Sequence, residues 1–415
     1  MSAEGTGTGP LGGLSVVELG STVAGPFCAR LLADFGADVI KIEQAEGDAI
    51  RSFSHRKDGV SLYNASIQRG KRIASINLRT EKGRALVRGL CEKADIVVEN
   101  FRPGTLEAWG LGYEDLAKLN PGLIMVRISG FGQDGPYAGR GGYGVVCEAV
   151  SGLREITGDP DRPPPRVATS MADYIAGLYG AFGAMMAVHE RHKTGRGQVV
   201  DSALYEGSFS FMEPHVPVFQ QLGIVAERAG PLLPGNAPNS IYPTRDGRYI
   251  VMAAAVNPVF KRLVETMGRP ELFEDPRFSS AVARAENQAE IDRLVAEWSA
   301  TVDLEDLESA LDAAKVPAAR IYNVTDIFED PHYRARGMLA QVEDETLGPV
   351  TVTGVVPKLS QTPGAVRWAG RATGADTAQV LAHDLGLEAD EIESLEAAGI
   401  VAGSGLGIKD KEDNA

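Results

Sequence analysis

Cysteine is scarce in this 415-residue sequence: only Cys28, Cys91 and Cys147 occur. Their spacing fits neither a metal site nor a disulfide framework. That excludes a disulfide-stapled scaffold and fits a reducing, cytoplasmic setting. Positive charge is in deficit too. Against 41 basic residues stand 56 acidic ones, giving a formal net charge of −15. This argues against a nucleic-acid partner and against docking on an anionic membrane. The longest nearly apolar stretch, Ile175 to Val188, falls short of the about 20 residues a membrane span needs. The opening MSAEGTGTGPLGG has no basic start and no apolar core, so it does not read as a signal peptide. Internal repeats are also lacking.

Familiar catalytic signatures are missing as well. No G-x-x-x-x-G-K-[ST] and no G-x-S-x-G occurs, which disfavours P-loop NTPases and standard α/β-hydrolases. His189 and His192 lie three apart without a third ligand, and read as polar residues at a helix end. His55, His215, His332 and His383 are isolated. Two literal G-x-G-x-x-G matches run from Gly130 to Gly135 and from Gly139 to Gly144. A dinucleotide fingerprint needs strand, turn and helix in that order, because the helix N-terminus holds the pyrophosphate. The first match follows a strand but leads into Pro136 and more glycines. The second follows no strand directly. Neither reads as an NAD site.

What is present is alternation. LSVVEL (14–19), DVIKIE (38–43), DIVVE (95–99), LIMVRIS (123–129) and QVVDSAL (198–204) read as strands. Between them PFCARLLADF (26–35), residues 80–94 with Thr80 as N-cap, and residues 113–119 read as helices. Gly130 to Arg166 reads as loops around one helix near 143–152. A long helix rich in small residues follows, roughly 171–191, and its Ala and Gly content predicts tight packing. Strand–helix alternation implies a parallel sheet covered by helices, an α/β, Rossmann-like half. The texture shifts at PLLPGNAPNSIYPTRDG (231–247), a turn-rich entry into a second, smaller unit that reaches about residue 330. After Gly337 the chain reads as extended again, then helical near 376–385, and ends in a polar tail.

Arg69, Lys71, Arg72, Arg79, Lys82, Arg84 and Arg88 crowd one segment of this acidic chain. Two readings are open: a site for a polyanion such as a nucleotide phosphate, or a solvated helix face and loop. Asp173, in SMADYIAGLYG, also has two. It is a first-turn acid favoured by the helix dipole, or a carboxylate aimed into a cleft.

The segment GSTVAGPFCARLLADFGADVIKIEQAEGD resembles the N-terminal signature of family III CoA-transferases, whose fold α-methylacyl-CoA racemases share. The resemblance continues through KRIASINLRTEKGRALV, ADIVVENFRPGTLEAWGLGYEDL, RISGFGQDGPYA, MADYIAGLYGA, RHKTGRGQVVDSALYE, LPGNAPNSIYPTRDGRYI and ADTAQVLAHDLGL. It implies two Rossmann-like domains, the larger built from N- and C-terminal segments, in a homodimer of interlocked rings. The corresponding boundaries are 1–225 and 336–402 for the large domain, 226–335 for the small one, and 403–415 for a disordered tail. It implies coenzyme A and acyl-CoA as substrates, a carboxylic acid as acceptor, and neither a permanently bound cofactor nor a metal. The catalytic aspartate of the family falls on Asp173. CoA contacts fall on Val23, Ala24, Ile76, Asn77, Leu78, Arg79, Asn100, Phe101 and Arg102, and on the loop Arg140, Gly141, Gly142, Tyr143, with Arg72 added from the basic cluster.

There are departures from the family pattern. Formyl-CoA transferases have Gln at Val23 and Arg at both Gln44 and Ala108. Arg51, Arg72 and Arg102 are the candidates to compensate. Of the glycine run those enzymes carry in the small domain, only Gly230, Gly235 and the turn at Asn236 remain. Racemases need a second proton shuttle, a His near Gly141, where this chain reads GRGGYG; inversion needs a base on one face and an acid on the other. Transferase therefore ranks above racemase, and above a non-catalytic CoA-binding protein. The expected acids are dicarboxylates, with Arg51 or Arg228 to hold a second carboxylate. The expected oxyanion donors are backbone N–H groups near Gly141, Gly142 or Gly235.

Overall fold

Alternate residues of six short apolar strands point to opposite faces of one sheet, and each face is covered. The computed structural model describes residues 9–403; the tail expected at 403–415 lies, from residue 404 on, outside the described residues. The strands are β1 (Ser15–Glu18), β2 (Asp38–Glu43), β3 (Arg72–Ile76), β4 (Ile96–Glu99), β5 (Ile124–Ser129) and β6 (Val199–Ala203). They run parallel in the order β3-β2-β1-β4-β5-β6. A last strand, β7 (Val401–Ala402), pairs antiparallel with β3, Val401 opposite Ile76. Val17 sits opposite Ile40 on one side and Val97 on the other. The chain winds outward from β1 through β2 to β3, then restarts on the other side at β4. In open α/β sheets ligands bind beyond the carboxyl ends of the strands at such a switch point.

One face packs Val16, Val39, Val98, Val126 and Ile128 under α1 (Ala24–Asp34) and the long helix of residues 171–194. The other packs Val17, Ile40, Ile76, Val97 and Met125 under α2 (Glu81–Lys93) and the helix Thr377–Leu385. Thr80 caps α2 by accepting the Gly83 N–H at 3.0 Å. The loop after β5 ends in α3 (Gly144–Val150), and α4 (Met171–Thr194) then returns across the sheet. A Cβ on Gly177 would lie 2.7 Å from the Ala24 oxygen, and one on Gly183 would lie 2.5 Å from Val200 Cγ1. This close approach is what the small-residue composition predicted. With 24 residues, α4 reaches the length and apolarity of a membrane-crossing helix, yet its small side is spent on α1, β5 and β6.

The unread strand is β3. Its approach carries the basic cluster, and three of those cations are inside the protein. Arg69 chelates Asp34 at 2.9 and 2.7 Å, Lys71 meets Glu18 at 2.6 Å, and Arg72 pairs with both Asp38 and Asp384. Buried charges persist only when paired. This part of the cluster is therefore neither a phosphate site nor a solvated face, which corrects both earlier readings. Arg79, Lys82 and Arg88 remain exposed.

The chain divides into two units. The larger holds the described residues up to 153, then 167–217 and 332 onward; the smaller holds 154–166 and 218–331. The extended segment after Gly337 is a hairpin, Leu339–Asp344 with Gly348–Thr353. In the smaller unit the sheet has three antiparallel strands, Asn239–Pro243, Tyr249–Ala253 and Ala318–Arg320. They pack on a core of Tyr242, Phe260, Leu263 and Leu311. The expectation of a second Rossmann-like domain is thereby corrected. T-R-D-G-R closes a hairpin at residues 244–248, Thr244 N–H donating to the Arg248 oxygen at 3.0 Å with Gly247 at φ +74°. That forces the flanking strands antiparallel.

Candidate active site

Three loops meet beyond the carboxyl ends of β1, β4 and β5. The first, Gly20–Val23, leads into α1. Asn100, just after β4, ties it down: its Oδ1 accepts the Ser21 N–H and its Nδ2 donates to the Ser21 oxygen, both at 2.8 Å. The loop after β4 is fixed in turn by Glu99, which accepts the Phe101 N–H at 2.8 Å and pairs with Arg127 at 2.7 Å. Burial raises the Glu99 carboxyl above its usual range, with Arg127 opposing. The third loop folds back on itself, Gly130 against Gly142. A Cβ on either would lie 2.4 Å or less from the other's Cα.

Asp173 stands in the first turn of α4, half-buried, in a cleft it shares with Thr22, Val23, Ala24, Asn100 and Tyr143. Its carboxylate presses on Gly144, the first residue of α3. A Cβ there would sit 2.1 Å from Asp173 Oδ2. Helix N-termini favour negative charge, and this carboxylate is on one helix start and against another. The neighbours register the charge. Burial, and then Asp173, push the Cys147 thiol up to about 11. Behind it, Tyr174 OH and Tyr63 OH are 2.7 Å apart, and the Tyr174 ring stands edge-on to Phe27 at 4.7 Å. Burial and this hydroxyl pair raise the Tyr63 pKa further. The first turn of α4 is thus wedged from behind, and the acid faces the cleft.

A carboxylate facing a cleft at a switch point is of a kind that suits acyl transfer. The sequence model described as CoA-transferase family III matches residues 11–377. The chain belongs to this family. It is 47% identical over 394 residues to a succinyl-CoA–D-citramalate CoA-transferase of Chloroflexus aurantiacus, covering 94% of this chain and 98% of that protein. It is 37% identical over 401 residues to the beta subunit of a succinyl-CoA–L-malate CoA-transferase of the same organism, covering 95% and 99%. The crystal structure of a CAIB/BAIF family protein from Brucella suis superposes with a TM-score of 0.81 at 34% identity, covering 91% of this chain and all of that one. The protein is a CoA-transferase. Among the described residues no histidine lines the Asp173 cleft, as a two-base racemase would require.

The CoA-transferase brings most of the expected contact residues together. Val23, Ala24, Asn100, Gly142 and Tyr143 border the Asp173 cleft. Phe101, Arg102, Arg140 and Gly141 line an adjoining pocket that shares Asn100, Gly142 and Tyr143 with it. Arg102 and Arg140 are exposed there, and Arg140 stacks on Tyr137 at 4.4 Å. Ile76, Asn77, Leu78 and Arg79 lie at the same carboxyl edge, but at the end of β3 and just beyond it, two strands from β1. Ile76 and Leu78 are buried, and Asn77 accepts the Arg79 N–H at 3.0 Å. They do not border the Asp173 cleft.

Arg72 does not join the site. It opens β3 at the opposite, amino end, with its guanidinium divided between Asp38 and Asp384. The two arginines nominated for a second carboxylate are engaged elsewhere. Arg51 chelates Glu43 and donates to the Arg371 oxygen. Arg228 pairs with Glu155 at 2.7 Å. Sequence reasoning missed Ser21, Thr22, Ser129 and Ser170, which line the cleft, and above all Gly144. The sequence signal for Gly144 is that it is the last glycine of the second G-x-G-x-x-G. That glycine does open a helix, although its vacancy serves a carboxylate.

Proposed function

We propose that this CoA-transferase moves coenzyme A from one dicarboxylate to another, succinyl-CoA being the leading donor, through covalent intermediates on Asp173. The carrying observation is the Asp173 carboxylate fitted against Gly144 in the cleft at the switch point. The named substrates of the two Chloroflexus relatives support the dicarboxylate class. Asp173 Oδ attacks the thioester carbonyl, and collapse of the tetrahedral adduct breaks C–S, releasing CoA thiolate and leaving a mixed anhydride. The thiolate attacks Asp173 Cγ, forming an aspartyl-CoA thioester and freeing the donor acid. The acceptor carboxylate then attacks Cγ, and the same two steps run in reverse. Thioester and anhydride are of comparable reactivity, so a carboxylate nucleophile suits the exchange. Backbone N–H groups near Gly141 and Gly142 are the nominated oxyanion donors. Incubation with succinyl-CoA alone, followed by hydroxylamine trapping and peptide mapping, should place the adduct on Asp173; an adduct on any other residue removes this mechanism.

Arg102 and Arg140 are assigned to the CoA phosphates, with Phe101 beside them, and Ile76–Arg79 to the far end of the extended ligand. The contrast with Arg72 is measurable. Arg102→Met should raise KM for the acyl-CoA about tenfold, the worth of one charge-assisted contact, and leave Tm alone. Arg72→Met should do the reverse: stability falls by about 3 kcal/mol and KM stays within about twofold. Initial rates and denaturant melts of the two variants check both.

A homodimer of interlocked rings is proposed as the working form. On α4, Leu178, Phe182 and Met186 recur every four residues and are each more than half exposed, with Phe209 and Phe211 also exposed. An apolar face of this kind calls for a partner, and light scattering should return twice the 44.1 kDa chain mass. The three free, buried thiols support a cytoplasmic location.

A further inference from the structure

Beneath the turn that faces Asp173 lies a set of buried charges with no part in the chemistry. Glu18, Lys41, Lys71 and Asp48 are each 7% exposed or less. Glu18 Oε1 meets Lys41 Nζ at 3.0 Å and its Oε2 meets Lys71 Nζ at 2.6 Å; Lys41 also pairs with Asp48 at 2.8 Å. Two cations and two anions make the group neutral, as burial requires. Three of their further bonds go to the backbone of residues 20–26, beside one from Lys71 to Gln68 Oε1 at 2.7 Å. Lys41 Nζ donates to the Gly20 oxygen, Lys71 Nζ donates to the Pro26 oxygen at 2.8 Å, and Asp48 Oδ1 accepts the Thr22 N–H at 2.9 Å. The turn is gripped at its start and middle, and the helix it enters is gripped in its first turn.

Its middle needs the grip. Thr22 has φ +69°, a left-handed conformation that a β-branched residue adopts only under constraint. The residues next to it, Val23 and Ala24, border the Asp173 cleft. We propose that Asp48 is a positioning residue for acyl transfer, holding Thr22 left-handed through its amide so that the Ser21–Ala24 turn presents one fixed surface to Asp173. The role rests on Asp173 being the nucleophile. Asp48 reaches no reacting atom; it acts through the backbone of Thr22. The same carboxylate also accepts the Ile50 N–H at 2.9 Å, so it is itself locked in place.

A set of variants decides. Asp48→Ala should cut kcat about thirtyfold or more and change KM for succinyl-CoA by less than about threefold, since the turn serves the reacting end. Adding Thr22→Gly should recover kcat at least about fivefold, because glycine takes positive φ without a clamp. Tm should not recover, because the buried group still lacks the second anion that pairs with Lys41; a purely structural role predicts kcat and Tm moving together. Asp48→Asn keeps the acceptor for Thr22 and should stay within about fivefold of wild-type kcat with a lowered Tm. It decides alone if Asp48→Ala does not fold. The proposal is overturned by a folded Asp48→Ala with kcat within about twofold of wild type, by Asp48→Asn losing more than about tenfold, or by no recovery with Thr22→Gly. Asp173→Asn assayed alongside separates the two ideas. Turnover retained there removes the nucleophile reading; a dead Asp173→Asn beside a fully active Asp48→Ala removes only the positioning role.

Discussion

Asp173→Asn should lower kcat by at least about three to four orders of magnitude, because it removes the proposed covalent nucleophile. Every covalent step of the proposed mechanism passes through this carboxylate, and an amide nitrogen or oxygen cannot form the anhydride. Shape is retained, so CoA affinity should stay within about threefold. Stability should fall by no more than about 1 kcal/mol, the value of an acidic group in a first helical turn. Trapping with hydroxylamine should give no adduct. Turnover within about tenfold of wild type, in protein whose intact mass excludes deamidation, would falsify the assignment. The pairing of lost chemistry with kept binding is the discriminating feature. A merely structural acid at this position would lose both or neither.

How much of this was readable beforehand depended on the distance over which each feature is encoded. Strands such as DVIKIE and helices such as 81–93 carry their own periodicity and caps, so local sequence suffices. The strand Arg72–Ile76 does not advertise itself, because its entry is occupied by charges. Its fitness for the core depends on Glu18, Asp34, Asp38 and Asp384, up to 312 residues away. No window around Lys71 contains that information. For the smaller unit the resemblance implied a second Rossmann-like domain, whereas the turn at Gly247 makes its first two strands antiparallel.

Asp173 shows the same limit at the site. Within its own helix it is an unremarkable first-turn acid. Its surroundings come from loops after β1, β4 and β5 and from Tyr63 on another helix, and no spacing rule connects these. The resemblance to a family supplied the connection in advance, and the geometry then supplied a reason for it. The residues expected to contact CoA divide the same way. Those on loops adjoining the switch point meet in one pair of pockets. Arg72, chosen for its charge, turned out to be spent on carboxylates.

Gly144→Ala should reduce kcat by about a hundredfold while Tm stays level or rises. Alanine is at no backbone disadvantage at a helix start and exceeds glycine by up to about 1 kcal/mol in helix propensity, so the fold should tolerate it. The site should not. The new Cβ would lie 2.1 Å from Asp173 Oδ2, against 3.4 Å or more for ordinary contact. Relieving that clash by moving the side chain takes a shift of more than 1 Å, the difference between these distances. A misplacement of about 1 Å at a reacting group costs about a hundredfold in rate, or roughly 2.7 kcal/mol of barrier. The cost should fall on kcat, with KM for succinyl-CoA little changed, because Gly144 is not among the residues assigned to CoA. A double-mutant cycle makes the reasoning strict. If Gly144 acts only by leaving room for the carboxylate, Gly144→Ala should have no further effect on turnover once Asp173→Asn is in place. Additive losses, or a Gly144→Ala single variant within about threefold of wild type, would show that the contact between this glycine and Asp173 is incidental to the reaction.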